Sequence, residues 1–147
     1  MLTISTKGRY GSRLMLELAL HYGKGPVLLR TIAKRQEISE GYFEQIVMLL
    51  KSAGLVHASR GARGGYVLAK PPAGITMKDI IFALEGRISL VECVQNPGIC
   101  KRRSSCATRI VWNKLTETMI TMLESFTLAS LVAQQKEAGE HALSFVI

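Results

Sequence analysis

Apolar residues recur every three or four positions along much of this chain, which is the spacing of helices with one buried face. A first helix is predicted to begin at Ser5 or Thr6, either of which can cap it, and to end near Tyr22, before Gly23. Its buried stripe is formed by Leu14, Met15, Leu18 and Ala19. The chain is therefore expected to open with an amphipathic helix.

Two shorter helices are predicted next. The first covers about 29–35, the turn covers 36–38, and Ser39 caps a second helix that runs to about Ser52, before Gly54. Two short helices joined by a tight turn are typical of a helix-turn-helix. The second of these helices would bury Phe43, Ile46, Val47 and Leu50 and leave Glu40, Gly41, Glu44, Gln45 and Met48 outside.

The periodicity then changes to two short apolar runs around a glycine-rich turn. Strands are predicted over 55–59 and 66–69, and the turn between them contains Arg60 and Arg63. Glycines permit positive φ and close backbone approach, and arginines suit phosphates or a narrow minor groove. A hairpin of this kind beside a helix-turn-helix predicts a winged helix, because its tip can contact DNA next to the second helix.

The second half of the chain predicts two more helices. One is capped by Thr76 and runs to about Leu84, with Ile80 and Ile81 buried. The other covers about 108–125, and its apolar residues alternate in steps of three and four, which is typical of a coiled-coil seam. Pairing with a second copy is the favoured reading of this seam, and packing within one chain is the alternative. The seam comprises Trp112, Leu115, Met119, Met122 and Phe126, flanked by Ile110 and Leu123.

Together these elements predict an α+β fold that is mainly α. We expect a winged helix-turn-helix DNA-binding domain over 1–86, a cysteine segment over 87–107, and a dimerisation helix with a C-terminal tail over 108–147. A chain of 147 residues can hold one domain plus an oligomerisation element.

The two halves of the chain differ in net charge. The net charge is +8, and residues 1–70 carry 11 basic against 4 acidic residues, or +7. This asymmetry favours a polyanion-binding face in the first half, with a merely soluble basic surface as the alternative. No apolar run of about 18 residues suggests a membrane span, and the start has no signal-peptide layout. A cytoplasmic protein without a membrane partner and without disulfides is therefore expected.

The cysteines of the chain all lie within fourteen residues, at Cys93, Cys100 and Cys106. The segment between them contains proline, glycine and three consecutive cations at 101–103, which is not the setting of a buried structural cysteine. Clustered thiols are soft ligands, so the segment is predicted to hold a metal ion or a metal cluster.

Four strings point to one family. They are Ser5-Thr-Lys-Gly-Arg-Tyr10, Tyr42-Phe-Glu-Gln45, Gly54-Leu-Val56 and the run Arg60-Gly61-x-x-Gly64-Gly65-Tyr66. With the cysteine segment and the long last helix, they make the chain similar, over essentially 1–133, to the winged-helix transcriptional regulators that include IscR, NsrR and CymR. The cysteine triplet makes the resemblance closest to the iron–sulfur cluster regulator IscR.

The resemblance implies a homodimer that binds double-stranded operator DNA with a palindromic sequence. Carried over by motif, Glu44 and Gln45 would read bases and Arg60 would enter the minor groove. Gly41 stands where IscR has a serine that touches DNA, so the preferred sequence can differ. The remaining DNA-binding positions of the wing would be Gly61, Arg63, Gly64 and Gly65.

The resemblance also implies that DNA affinity depends on an iron–sulfur cluster held by Cys93, Cys100 and Cys106, as in regulators of iron–sulfur cluster assembly genes. A 2Fe–2S cluster is favoured, and the 4Fe–4S cluster of NsrR-like nitric oxide sensors is possible. Zinc usually has a tighter Cys-x2-4-Cys spacing, although zinc and a metal-free thiol switch stay open. The cations at 101–103 can offset thiolate charge and lower the thiol pKa values.

Two departures from the family pattern concern the ligands. The first cysteine gap has six residues where five are usual, and Arg109 occupies the position of the histidine that serves as fourth ligand in IscR-like proteins. Arginine stays protonated and is a poor ligand. The aspartate that NsrR-like proteins supply from their first helix is missing at Lys7-Gly8-Arg9, and Glu92 is a possible oxygen ligand. The fourth ligand is therefore not assigned.

Other functions predict different chemistry. A CymR-like regulator without a cluster would be controlled by a protein partner or by thiol oxidation. An enzyme would need a recognisable catalytic motif, and the chain has no His-Glu-x-x-His string, nucleophile elbow or phosphate loop. The sequence therefore predicts a regulator and not an enzyme.

Overall fold

The structure, a computed structural model, describes residues 3–62 and 64–146. Within them the predicted fold class is confirmed, since helices dominate and one two-stranded sheet is present. The elements are α1 (Thr6–Leu20), α2 (Leu29–Gln36), α3 (Glu40–Ser52), β1 (Val56–Ser59), β2 (Gly65–Leu68), α4 (Met77–Glu85), α5 (Glu92–Gln95), α6 (Ala107–Ser125) and α7 (Leu128–Val146).

The helix-turn-helix of α2 and α3 forms where the sequence predicted it. The Ser39 hydroxyl accepts a hydrogen bond from the backbone N–H of Tyr42 at 3.2 Å and thereby caps α3. The turn before it passes through Glu37, whose φ of 54° lies in the left-handed region. Ser5 caps α1 in the same manner, by accepting from the N–H of Gly8 at 3.1 Å. However, α1 ends at Leu20, two residues earlier than predicted.

One hydrophobic core joins the N-terminal helices to the wing and to α7. Its members include Leu14 of α1, Ile32 of α2, Phe43 of α3 and Ile80 of α4, all with no exposed surface. The helices α1 and α4 approach closely at Gly11, where an added Cβ would collide with the Leu84 side chain. This core holds α3 rigidly and turns its other face to solvent.

The wing is a hairpin with an added bridge. Strands β1 and β2 pair antiparallel, and Ser59 lies opposite Gly65. β1 begins one residue later than predicted and ends as predicted, whereas β2 begins and ends one residue earlier. Val27, in the loop before α2, exchanges both backbone hydrogen bonds with Tyr66, at 3.0 and 2.9 Å. An added Cβ at Gly65 would overlap the Val27 carbonyl. Gly65 therefore allows the wing to pair with the loop before α2.

Replacing Gly65 by Ala should lower the free energy of unfolding by about 2–4 kcal/mol, because the new methyl meets a backbone oxygen that is fixed by hydrogen bonds. Urea unfolding of the full chain measures the change. Gly74→Ala is the matched control, since nothing lies within 4 Å of its added Cβ. Equal unfolding midpoints for the two variants would contradict the assignment.

The cysteine segment leaves α4 and enters α6 through short helical turns. Thr76 and Asp79 form a reciprocal capping box at the start of α4, at 3.1 and 2.9 Å. After α4 come the single-turn α5 and a 3₁₀ turn at Pro97–Ile99. The segment packs on α6 through α5, and α6 packs on α4. The cysteines are thus connected physically to both the DNA-binding domain and the long helix.

Two expectations about the C-terminal part were wrong. Phe126 does not extend the predicted seam, because it lies beyond the end of α6 and its carbonyl accepts from the N–H of Met77 at 2.9 Å. The expected tail is the 19-residue helix α7. Thr127 and Ser130 cap it reciprocally, each hydroxyl accepting the other's backbone N–H at 3.1 Å. Leu128 is fully buried, so α7 belongs to the N-terminal core.

Within the described residues, no helix combines the length and the apolar character needed to cross a bilayer.

Candidate nucleic-acid interface and cysteine segment

The outward face of α3 presents the two predicted base-reading residues. Glu44 and Gln45 are exposed, whereas Phe43 and Ile46 on the other side of the helix are fully buried. Carboxylate and amide groups on an exposed helix can hydrogen-bond base edges in a major groove. The structure therefore leaves both groups free to reach a duplex.

A cavity of about 570 Å³ lies between this face and the wing, and both Glu44 and Gly65 line it. Arg30, at the start of α2, lines the same cavity and is a residue that the sequence interpretation missed. A cation near the start of the first helix of a helix-turn-helix is the signal that would have found it. The lining residues are Leu28, Leu29, Arg30, Glu40, Glu44, Met48, Gly65 and Tyr66.

The tip of the wing is shaped by its glycines. Arg60 is exposed directly after β1, and Gly61 follows it with a φ of 114°. The Gly64 N–H donates to the Gly61 carbonyl at 2.9 Å, and an added Cβ at Gly64 would lie 2.7 Å from the Ser59 carbonyl. The tight turn thus directs Arg60 into solvent. Arg63, predicted to contact DNA, lies outside the described residues.

Aromatic contacts join α1 to α3. The rings of Tyr10 and Tyr42 meet edge to face, with 6.1 Å between their centroids. The guanidinium groups of Arg9 and Arg13 lie 5.8 and 5.5 Å from the Tyr10 ring centroid. Two cations of α1 are therefore held near the start of the helix that carries Glu44, which adds positive charge to this side of the molecule.

The cysteine segment carries its three thiols without gathering them. Cys93 lies in α5, Cys100 follows the 3₁₀ turn, and Cys106 is the residue directly before α6, without a side-chain capping hydrogen bond. All three are free and partly buried. Among the side chains that the structure describes, no three His, Cys, Asp or Glu residues are grouped as a metal site would need. The donor chemistry suits an iron–sulfur cluster, whereas this conformation of the segment does not.

Hydrogen bonds make the Cys106 thiol more acidic than that of an ordinary cysteine. The Thr108 side chain hydrogen-bonds its Sγ at 3.2 Å, and this bond, followed by the backbone N–H of Arg109, lowers the pKa of the Cys106 thiol. Arg102 contributes in the same direction but least. The cations at 101–103 were expected to lower thiol pKa values, and at Cys106 the hydrogen bonds do most of this instead.

Arg109 occupies the position where a fourth ligand is expected. It lines a cavity of about 300 Å³ together with Cys106. In the described part of the chain its Nε is buried and has no hydrogen-bond partner. A guanidinium group donates hydrogen bonds and has no lone pair to offer a metal. The three thiols are therefore the soft donors that this segment offers to a metal. Glu92, the possible oxygen ligand, is exposed next to Cys93.

The helix α6 has two distinct faces. Asn113, Thr116 and Ile120 turn toward the same protomer, and Thr116 is only 6 % exposed. The predicted seam borders this packed face, since Leu115 lies about 100° and Trp112 about 40° around the helix from Thr116. Most of its side chains are open to solvent, with Trp112 exposed by 37 %, Leu115 by 45 % and Met122 by 57 %, whereas Met119 is partly buried. Packing within one chain therefore leaves most of the seam exposed.

Comparison with known proteins gives one family. A model of the Rrf2 family, described as an iron-dependent transcriptional regulator, matches residues 4–134. The transcriptional regulator CymR of Bacillus subtilis is 43 % identical over 144 residues, which cover 98 % of this chain and 99 % of CymR. The similarity extends over nearly the whole length of both proteins.

Solved structures agree. The structure of CymR, the global cysteine regulator of B. subtilis, superposes with a TM-score of 0.78 at 45 % identity and covers 91 % of this chain and 98 % of that one. The structure of IscR from T. potens gives a TM-score of 0.77 at 42 % identity and covers 93 % and 90 %. Both superpositions therefore extend over about nine-tenths of this chain.

Proposed function

The chain belongs to the Rrf2 family of iron-dependent transcriptional regulators, and from this we propose that it is a homodimer whose operator binding is controlled by an iron–sulfur cluster. Its relatives are regulators and not enzymes. The observation that carries the proposal is the position of three free thiols in the one segment that connects the DNA-binding domain to α6. We place this function in the cytoplasm, where such thiols stay reduced.

DNA recognition is assigned to α3 and the wing. Glu44 and Gln45 would contact base edges in the major groove, and Arg60 and Arg63 would contact phosphates or the minor groove. The excess of basic residues in the first half of the chain and the exposure of α3 support this assignment. Gly61, Gly64 and Gly65 would let the wing backbone approach the duplex closely.

Dimerisation is assigned to the exposed seam of α6. An apolar stripe that the protomer leaves open is matched by the same stripe on a second copy, and a two-fold pair presents two copies of α3 to a palindromic site. Residues 1–86 would bind DNA, 87–107 would hold the cluster, and 108–147 would contain the dimerisation helix. Within the last segment, α7 packs on the DNA-binding core.

Cys93, Cys100 and Cys106 would hold the cluster, for which 2Fe–2S is favoured over 4Fe–4S. When bound, the cluster would make the protein sensitive to the supply of iron and to oxidants. To hold it, the segment 87–107 would have to bring its three thiols together, because the described residues contain no group of three metal-ligating side chains. Because this segment packs on α6, and α6 packs on α4, closure would shift the spacing of the two DNA-binding domains.

Control without a cluster is the second candidate. The match to CymR over 98 % of the chain, the presence of Arg109 at the ligand position and the acidic Cys106 thiol favour it. In that case thiol oxidation or a protein partner would alter DNA binding. Nitric oxide sensing through a cluster on the same cysteines is a variant of the first candidate.

Anaerobic purification tests the cluster directly. We expect a coloured protein with equal amounts of iron and acid-labile sulfide, because a 2Fe–2S or a 4Fe–4S cluster contains the two in equal numbers. Affinity for an operator selected from random duplexes should change by at least about tenfold when a chelator removes the iron, a coupling of ordinary size. A colourless protein after reconstitution, with unchanged operator affinity, would refute control by a cluster and favour control by thiol oxidation or a protein partner.

A further inference from the structure

The outer face of α3 carries a large apolar side chain that the core does not use. Met48 is 67 % exposed, although it lies one helical turn after Glu44 and lines the same cavity. Leu28 lines this cavity as well and is 47 % exposed. A single exposed apolar residue needs no explanation, whereas two at one cavity beside base-reading residues form a small apolar patch that invites a partner.

The chemistry of the major groove identifies what this patch can contact. The base edges there present hydrogen-bond donors and acceptors, and their one apolar group is the C5-methyl of thymine. A thioether has no hydrogen to donate and is a weak acceptor, so Met48 gains little from the polar positions. Its flexible chain adapts to the shape of an apolar partner.

We propose that Met48 is a specificity-determining residue that packs on a thymine methyl in each half-site of the operator. This inference rests on the proposed function, because it requires α3 to enter the major groove. Leu28, the residue directly before α2, lines the same cavity and adds apolar surface beside this contact.

The spacing along α3 restricts where this thymine lies. Glu44 can accept a hydrogen bond from the N4 amino group of a cytosine. Four residues of helix rise by about 6 Å, and base pairs follow one another by about 3.4 Å. The thymine read by Met48 is therefore within two base pairs of the cytosine read by Glu44.

Replacing thymine by deoxyuridine removes the methyl and nothing else. With an operator selected by the full-length protein, we expect one such replacement per half-site to weaken wild-type binding about fourfold, the effect of one buried methyl. Met48→Ala should bind the thymine operator more weakly by a similar factor and should not distinguish deoxyuridine from thymine at that position. Met48→Leu should retain the discrimination.

Leu49→Ala is the matched control. Leu49 is the next residue of α3, is 39 % exposed, and does not line the cavity. It should leave the ratio of thymine to deoxyuridine affinities as in the wild type. An identical ratio in Met48→Ala and the wild type overturns this inference alone, because operator binding is then intact. Failure of the wild type to enrich any sequence refutes the proposed function and the inference with it.

Discussion

Leu115→Glu should convert the proposed dimer to a monomer and weaken operator binding by about a hundredfold or more, because avidity between two linked sites contributes factors of this size. Leu115 is 45 % exposed and lies in the middle of the seam of α6. In a two-fold dimer the substitution occurs twice, and it places two carboxylates in an apolar interface where desolvation opposes them. Sedimentation velocity measures the mass, and fluorescence anisotropy with operator DNA measures the affinity.

Thr121→Glu provides the control. Thr121 is also exposed on α6, but it lies on the far side of the helix from Leu115 and Trp112. The control should stay dimeric and bind the operator as the wild type does. A Leu115→Glu chain that remains dimeric would exclude this seam as the interface and leave the exposed face of α6 without an assigned partner.

The DNA-binding half was predicted well because its signals are local. Ser39 as a helix cap, the glycines of the wing and the apolar spacing of α3 each act within a few residues, so that they can be recognised without tertiary information. The pairing of Val27 with Tyr66 escaped prediction because it connects residues that are far apart in sequence. It also explains Gly65 by packing, in addition to the proposed contact with DNA.

The C-terminal half was harder to predict for a tertiary reason. The spacing that extended the seam to Phe126 continued past the end of α6, where backbone hydrogen bonds to the loop before α4 stop the helix. Thr127 and Ser130 were the available signal for α7, as hydroxyls that can cap a helix. That α7 packs on α1 depends on the whole fold, so no local pattern gives it.

For the cysteines, we expect the three single Ala variants to behave alike. If Cys93, Cys100 and Cys106 are all ligands, each replacement should lower iron retention by at least about tenfold, since even the loss of an outer hydrogen-bond partner costs tenfold or more in metal affinity. Ser104→Ala, in the same segment, should keep its iron. Iron and sulfide analysis on anaerobically reconstituted protein measures all four variants under one condition.

A thiol switch predicts a different set of results, because a single reactive thiol is enough for it. Only Cys106→Ala would then abolish the response of operator binding to oxidant, since Cys106 is the thiol whose pKa the Thr108 hydrogen bond lowers. Arg109→His separates the two mechanisms further. It places an imidazole at the expected ligand position and should slow cluster loss in air if a cluster is bound. If the protein is a thiol switch, the variant should contain no iron, as the wild type would. Equal iron loss rates for Arg109→His and the wild type would show that residue 109 does not limit the stability of the site.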